Sequence, residues 1–131
     1  MKKLSFGFYS LLLMLGSCSV QKNNTRIDQK PDSRPGKEIV LVKVTDDSRC
    51  PEGVQCIWAG EVTFAVAAYE DSKMVEQVQF TLNQNTNKEI NDWFVKHLPA
   101  GSKDLKEISV LPYPKEGVAV KPQDYYIQLI Y

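Results

Sequence analysis

The chain has 131 residues, and 43% of them are hydrophobic, which suits one domain with a single core. Its 16 basic and 16 acidic side chains cancel to a net charge of zero at pH 7. This balance excludes the strongly basic character by which a nucleic-acid-binding domain is usually recognised. The sequence contains no internal repeat and no low-complexity tract.

The first residues, 1–17, predict a secretion signal. Lys2 and Lys3 precede an apolar run, residues 4–15, which is shorter than the roughly 20 apolar residues of a membrane-spanning helix. The run ends in Leu-Gly-Ser-Cys, which resembles a bacterial lipobox. That resemblance implies cleavage before Cys18 and attachment of diacylglycerol and fatty acids such as palmitate, and several acyl chains anchor a protein firmly to a membrane. An ordinary signal peptide with a chance cysteine is the alternative.

The next segment is polar. Residues 19–36 contain two apolar side chains and two prolines among many polar groups, so they bury too little surface to fold. We therefore predict a lipidated N-terminus and flexible tether over residues 18–36 and a single domain over residues 37–131.

The remaining cysteines predict a disulfide. If Cys18 carries lipid, then Cys50 and Cys56 are an even pair in an oxidising compartment, where disulfides persist. A zinc site would need more ligands than these two cysteines and the single histidine, His97. Inside the ring, residues 50–53 (Cys-Pro-Glu-Gly) predict a type I turn.

Alternation of apolar and polar side chains predicts five strands. In the second strand Trp58, Val62 and Phe64 fall on one face, so Trp58 is expected in the core rather than in contact with a partner. Gly60, inside the same run, predicts a bulge or a bend. A turn at residues 71–73 makes a hairpin of the second and third strands. The five predicted strands are residues 37–46, 57–70, 74–82, 105–113 and 124–131.

A short helix is predicted between the third and fourth strands. Ile90, Trp93 and Phe94 recur at helical spacing, with His97 or Leu98 one turn further on. Asparagine and threonine, which cap helices, precede this run, and a proline and a glycine follow it. We expect His97 to be a solvated or capping residue rather than a ligand.

The order of these elements predicts a fold. Three strands, a helix and two strands match the five-stranded OB-fold, a small Greek-key barrel that the helix caps. We therefore predict a mainly β, OB-fold-like barrel; an open antiparallel sandwich, or an up-and-down barrel with further strands, is the alternative. In an OB-fold the cysteine loop and the loop joining the last two strands would flank the surface on which partners bind.

Candidate catalytic side chains are few. With His97 as the only histidine and no spare thiol, neither a Ser-His-Asp nor a Cys-His arrangement can be assembled. No phosphate-binding glycine loop or metal-spaced cluster is present, so we predict no enzyme activity and no cofactor. A disulfide that closes only residues 50–56 stiffens a local shape, and a stiff segment loses little entropy on binding. We therefore predict binding by a rigid exposed loop.

The stretch DSRCPEGVQCIWAGE, residues 47–61, carries a D-S-R-C-P…C-x-W-x-G motif. It resembles the small bacterial envelope lipoproteins with this motif. Among them it is similar to the potempins, lipoprotein peptidase inhibitors of which some are five-stranded OB-fold barrels. The likeness covers the whole chain in architecture but only residues 47–61 as a motif.

The resemblance implies a location and a partner. It implies a protein that is lipid-anchored to the bacterial outer membrane and faces the periplasm or the cell surface. We expect a monomer, since nothing in the sequence demands more. Its partner would be a secreted peptidase, with a zinc metallopeptidase resembling matrix metallopeptidases as the leading candidate. Nucleic acid is not an expected partner.

The loop over residues 47–57 is the predicted inhibitory element. Peptidase clefts bind main chain by strand-like hydrogen bonds and accept alternate side chains in pockets. We expect Glu52 or a nearby carbonyl to approach the zinc of the target, and Val54 to fill a hydrophobic pocket. Alternatively both are ordinary turn residues, and residues 47–49 only brace the loop from behind. The predicted inhibitory residues are Ser48, Arg49, Cys50, Pro51, Glu52, Gly53 and Val54.

Two other functions stay open. An OB-type binder of oligosaccharide or peptidoglycan fragments would stack sugars on Tyr69, Tyr113, Tyr125 and Tyr126, although cross-strand packing explains these tyrosines equally well. The other is a passive envelope component without a ligand.

Overall fold

The computed structural model describes residues 24–99 and 104–131. The predicted secretion signal (residues 1–17) and the predicted lipidation site, Cys18, lie outside the described residues. Within them the chain is mainly β, as predicted. The elements are β1 (Asn24–Ile27), β2 (Lys37–Asp47), β3 (Val62–Glu70), β4 (Lys73–Leu82), α1 (Asn87–His97), β5 (Glu107–Leu111), a 3-10 helix (Pro122–Asp124) and β6 (Tyr126–Ile130).

The strands form two antiparallel sheets of three strands each. One sheet has the order β2-β3-β4, and the other has the order β1-β6-β5. In the described part of the chain no ladder joins the two sheets, so the predicted five-stranded OB-fold barrel is not confirmed. The reason is a strand that the sequence pattern missed. Because β1 pairs along one side of β6 and β5 along the other, β6 has no free edge with which to close a barrel.

Strand β1 lies in the segment predicted as a flexible tether. Asn24 pairs with Ile130 and Ile27 pairs with Ile127, and the Ile27 side chain is buried. The folded part of the chain therefore begins before the predicted boundary at residue 37. Composition misses such a strand because main-chain pairing with a distant partner, and one buried apolar side chain, hold a segment that is otherwise polar.

The sheet β2-β3-β4 follows the predicted alternation. Val62, Phe64 and Val66 of β3 are fully buried on one face. The turn to β4 consists of Asp71 and Ser72, which have φ angles of 48° and 66°. Two residues with positive φ are what a two-residue hairpin turn of type I′ requires. The predicted hairpin is therefore confirmed.

Helix α1 packs against both sheets. Ile90, Phe94 and His97 form its buried stripe, at the spacing of one helix face. His97 was expected to be solvated or capping, and that expectation is wrong. Its ring lies 4.5 Å from the Trp93 ring, centre to centre, and its Nε2 atom is 2.8 Å from a Glu76 carboxylate oxygen. Histidine completes the apolar stripe here because its polar nitrogen finds a partner at the edge of the core.

One core joins the sheets and the helix. No helix among the described residues is long and apolar enough to cross a bilayer. The core is formed by Ile27, Ile39, Leu41, Val62, Phe64, Val66, Phe80, Ile90, Phe94, Leu98, Leu105, Val110, Ile127 and Leu129.

Candidate functional site

The connection between β2 and β3 is closed by a disulfide. The Sγ atoms of Cys50 and Cys56 are 2.12 Å apart, and their Cα atoms are 5.9 Å apart. The predicted disulfide is therefore confirmed. We call the whole connection, residues 48–61, the stapled loop.

A tight turn lies inside the disulfide ring. The Val54 N–H donates to the Pro51 carbonyl oxygen over 3.2 Å. The turn therefore begins at Pro51, one residue later than predicted. Its third position is Gly53, whose φ of 82° is typical of a type II turn rather than the predicted type I.

Two main-chain hydrogen bonds close the base of the stapled loop. The Ser48 N–H donates to the Glu61 carbonyl oxygen over 2.8 Å, and the Cys50 N–H donates to the Ala59 carbonyl oxygen over 2.9 Å. Between these two acceptors Gly60 has a φ of 72°, and a Cβ atom there would lie 2.0 Å from the Ser48 carbonyl oxygen. Only glycine fits so close an approach of two chain segments.

A buried ion pair holds the back of the stapled loop. Arg49 is only 7% exposed. Its Nε and Nη2 atoms lie 2.8 and 2.7 Å from the two carboxylate oxygens of Asp47, so the pair is bidentate. Nη1 donates to the Val110 carbonyl oxygen over 2.5 Å, and the guanidinium lies 4.3 Å from the centre of the Tyr113 ring. Because Val110 belongs to β5, Arg49 ties the loop to the other sheet.

The Tyr125 hydroxyl completes this network by donating to Asp47 Oδ2 over 3.0 Å. Burial alone would raise the pKa of the Asp47 carboxyl. The hydrogen bonds and charge of Arg49, together with the Tyr125 hydroxyl, outweigh burial and hold that pKa below its usual range. Burial, the hydrogen bond to Asp47 and its negative charge raise the pKa of Tyr125 to about 12. At neutral pH the network is therefore an ionised carboxylate between a guanidinium and a neutral phenol.

A second loop lies against the first. We call residues 112–121, which follow β5, the companion loop. The Glu52 N–H donates to the Pro114 carbonyl oxygen over 2.9 Å, and Glu52 forms an isolated parallel bridge with Lys115. The companion loop then turns back, and the Val118 N–H donates to the Lys115 carbonyl oxygen over 3.1 Å. The structure thus brings together the two loops that were expected to flank one binding surface.

Large apolar side chains are exposed on these two loops. Ile57 is fully exposed, and Trp58 is 77% exposed. Val54, Tyr113 and Val118 are exposed as well. Exposed apolar side chains gathered at one end of a domain are typical of a surface that binds another protein.

The prediction that Trp58 belongs to the core is wrong. It assumed that the alternation of β3 extends back to residue 57, which would place Trp58 on the same face as Val62. The left-handed conformation of Gly60 breaks the alternation, so β3 begins at Val62 and Trp58 turns to solvent. The sequence signal that could have found this was the glycine itself, which marks a bend.

The predicted inhibitory residues fall into two groups. Ser48 and Arg49 lie at the base and back of the stapled loop, where their polar groups bind within the molecule. Glu52, Gly53 and Val54 are exposed at its front. At the front of the loop, solvent therefore reaches the side chains of Glu52 and Val54.

Three of the four tyrosines considered for sugar stacking, Tyr113, Tyr125 and Tyr126, contact charged side chains of the domain. Arg49 lies over the Tyr113 ring, and the Arg26 guanidinium lies 3.8 Å from the centre of the Tyr126 ring. Tyr69 belongs to the other sheet. Within residues 24–99 and 104–131 no group of three or more His, Cys, Asp or Glu side chains is placed to hold a metal ion.

Fold and site together define a small, mainly β domain that carries a rigid, exposed and partly apolar loop. No family model, no curated protein and no solved structure matches the chain. The stapled loop is therefore the feature that indicates a function.

Proposed function

We propose that the chain is a membrane-anchored lipoprotein inhibitor of a secreted peptidase, and that the stapled loop enters the active-site cleft of the target. One observation carries this proposal. The loop is fixed by its disulfide, by the main-chain bonds at its base, by Arg49 and by the companion loop, yet its front is exposed. A segment already held in one shape loses little conformational entropy on binding.

The chemistry of the loop favours a zinc metalloendopeptidase resembling matrix metallopeptidases. A catalytic zinc keeps an open position that accepts oxygen ligands. The Glu52 side chain is exposed, and its main-chain N–H is fixed to Pro114, so the carboxylate projects from an anchored residue. Cleavage within residues 50–56 would leave both new ends joined by the disulfide, which favours resealing over release.

The position of the N-terminal strand supports a membrane anchor. Asn24 pairs with Ile130 at one end of the sheet, whereas Leu111, from which the companion loop departs, pairs with Tyr126 at the other. Five strand residues separate these ends by about 14 Å. A chain held through its N-terminus, as lipidation of Cys18 would hold it, therefore presents both loops away from the membrane.

The two loops resemble the loop pair of an OB-fold, although no closed barrel is seen among the described residues. In an OB-fold two loops flank the binding surface of a closed barrel. The stapled and companion loops provide such a pair through the Glu52–Pro114 hydrogen bond, without any need for closure of the barrel.

A panel of secreted peptidases, one set for each catalytic class, tests the proposal. The full chain is mixed with each peptidase at near-equimolar ratio, and the residual activity is measured. We expect inhibition of a metallopeptidase, a strong loss of inhibition in the Cys50→Ser/Cys56→Ser double variant, and a weaker loss in Glu52→Gln. The matched control is Arg34→Ala, which removes an exposed ion pair with Asp32 in another part of the domain. Inhibition of no peptidase, or inhibition that survives opening of the ring, would contradict the proposal.

A further inference from the structure

We infer that Ile57 and Trp58, and not Val54, are the apolar anchors of the stapled loop, and that Ile57 enters a hydrophobic pocket of the partner. This inference rests on the proposed function and names the side chains that would set its specificity. Neither residue is among the seven named inhibitory residues, Ser48 to Val54, although Ile57 ends the predicted inhibitory loop, residues 47–57.

Ile57 and Trp58 are the most exposed large apolar side chains of the stapled loop. Ile57 is fully exposed beside Trp58, which is 77% exposed, so neither side chain contributes much to packing in the free domain. Moving an isoleucine side chain from water into an apolar pocket would tighten binding about 10- to 100-fold. Tryptophan is among the residue types most enriched at the energetic centres of protein interfaces.

The main chain around Ile57 and Trp58 also has unused hydrogen-bond donors. Within the described part of the chain, the N–H groups of residues 55–58 donate to no other main-chain group. Ile57 and Trp58 nevertheless lie between two fixed residues: Cys56 is held by its disulfide, and Ala59 accepts the hydrogen bond from Cys50. Peptidase clefts bind a guest chain through its main-chain N–H and C=O groups. The segment around Ile57 therefore offers side chains and main chain together.

The main chain inside the disulfide ring, residues 50–56, is different. The Val54 N–H is already bonded to Pro51, and the neighbouring Glu52 N–H is bonded to Pro114. Val54 is also less exposed than Ile57. Its main chain thus maintains the turn and the contact with the companion loop, and it has less apolar surface left for a partner.

Ile57 and Trp58 fit a partner with a particular kind of cleft. It is a peptidase whose cleft contains an apolar pocket deep enough for a branched aliphatic side chain, bordered by a flat apolar wall for the indole of Trp58. Such a peptidase would prefer aliphatic residues at the corresponding position of its substrates, because the same pocket accepts both.

Single replacements in the full chain test the inference. Ile57→Ser and Trp58→Ser are compared with Val54→Ser and with Val95→Ser, which changes an exposed valine on helix α1. The readout is the inhibition constant against the peptidase that the unaltered chain inhibits in the panel. We expect Ile57→Ser and Trp58→Ser each to raise it about 10- to 100-fold, and Val54→Ser to raise it less than either. Val95→Ser, on the helix, should leave it within about threefold. Thermal unfolding checks that all four variants fold.

The outcomes separate this inference from the proposed function. An unchanged inhibition constant for Ile57→Ser overturns the inference and leaves the proposed function standing. So does a loss in Val54→Ser that equals the loss in Ile57→Ser. A chain that inhibits no peptidase overturns both. Losses in Ile57→Ser and Trp58→Ser that exceed any loss in Val54→Ser, with partial rescue by Ile57→Val, support the inference.

Discussion

The back and the front of the stapled loop reverse the usual distribution of side chains. At the back a charged residue, Arg49, is buried, whereas at the front Ile57 and Trp58 are in water. Folded domains normally bury apolar side chains and expose charged ones. The reversal divides one short connection into residues that hold it in place and residues that are free to contact a partner.

Each side has its own energetic requirement. A buried guanidinium is tolerable because Asp47 and the main-chain oxygen of Val110 replace the water it loses. An exposed isoleucine or tryptophan contributes no hydrophobic free energy until another surface removes its side chain from water. Replacements on the back should therefore change stability, and replacements on the front should change binding alone.

The largest expected effect is on the back. Arg49→Ala leaves the Asp47 carboxylate buried without its ion-pair partner, and breaking such a buried pair costs about 3–5 kcal/mol of unfolding free energy. Urea unfolding measures this loss. The control is Arg34→Ala, whose ion pair with Asp32 (3.0 Å) is exposed and should contribute less than about 1 kcal/mol. Similar losses in the two variants would show that burial does not distinguish the two arginines.

Removal of the disulfide should give the next largest loss of unfolding free energy. Cys50→Ser/Cys56→Ser opens a ring of residues 50–56, and the chain-entropy account gives a loss of about 2–3 kcal/mol for so short a ring. Reduction of the unaltered chain should produce the same decrease in the urea midpoint. The double variant itself should not respond to the reductant. A response in the variant would mean that the reductant acts elsewhere.

Tyr125→Phe should cost about 1.5 kcal/mol at neutral pH, because it removes a hydrogen bond to the Asp47 carboxylate. Since the pKa of Tyr125 is raised from 10.0 to about 12, this contribution is complete below pH 10 and is lost as the pH rises towards 12. Since the pKa of Asp47 is lowered from 3.8, its contribution is complete above that value and is lost as the pH falls below it.

The difference in urea midpoint between the Tyr125→Phe variant and the unaltered chain should therefore be largest near neutral pH. It should narrow at pH 11.5 and again near pH 2.5. Arg34→Ala, in which Tyr125 is unchanged, should retain the pH dependence of the unaltered chain. A difference that stays constant from acid to alkali would show that Asp47 and Tyr125 do not titrate as a pair.

The smallest effect on stability is expected at the front. Ile57→Ser and Trp58→Ser should each change the unfolding free energy by no more than about 0.5 kcal/mol, because both side chains are exposed. Leu41→Ala, in the core, should cost about 2–5 kcal/mol in the same measurement. A large loss in either front variant would place that side chain in a contact that stabilises the free domain.

Local pattern predicted much of the fold. Alternation located β2, β4 and β6 closely, helical spacing located α1, and the turn at Asp71 and Ser72 fixed the hairpin. These elements are decided by neighbouring residues. The pairing of β1 with β6 joins residues about a hundred positions apart, which no local pattern reports, and it places β1 in the second sheet.

The site shows the same limit. Two cysteines around a turn predicted a stapled loop, and the disulfide is present. Whether Arg49 would be buried or free depended on the main chain of β5, sixty residues away, so its sequence neighbours could not decide. Trp58 was placed wrongly because a single backbone conformation, at Gly60, ends the alternation of β3 before it reaches Trp58.

The pairing of Asn24 with Ile130 also brings residue 24 close to residue 131. A short peptide joining residue 131 to residue 24 would span a small gap, so a cyclic or circularly permuted chain should keep the same sheet. A fluorescent domain fused after Tyr131 would stand beside β1, at the opposite end of the sheet from Leu111. The surface formed by the two loops would stay clear of such a label.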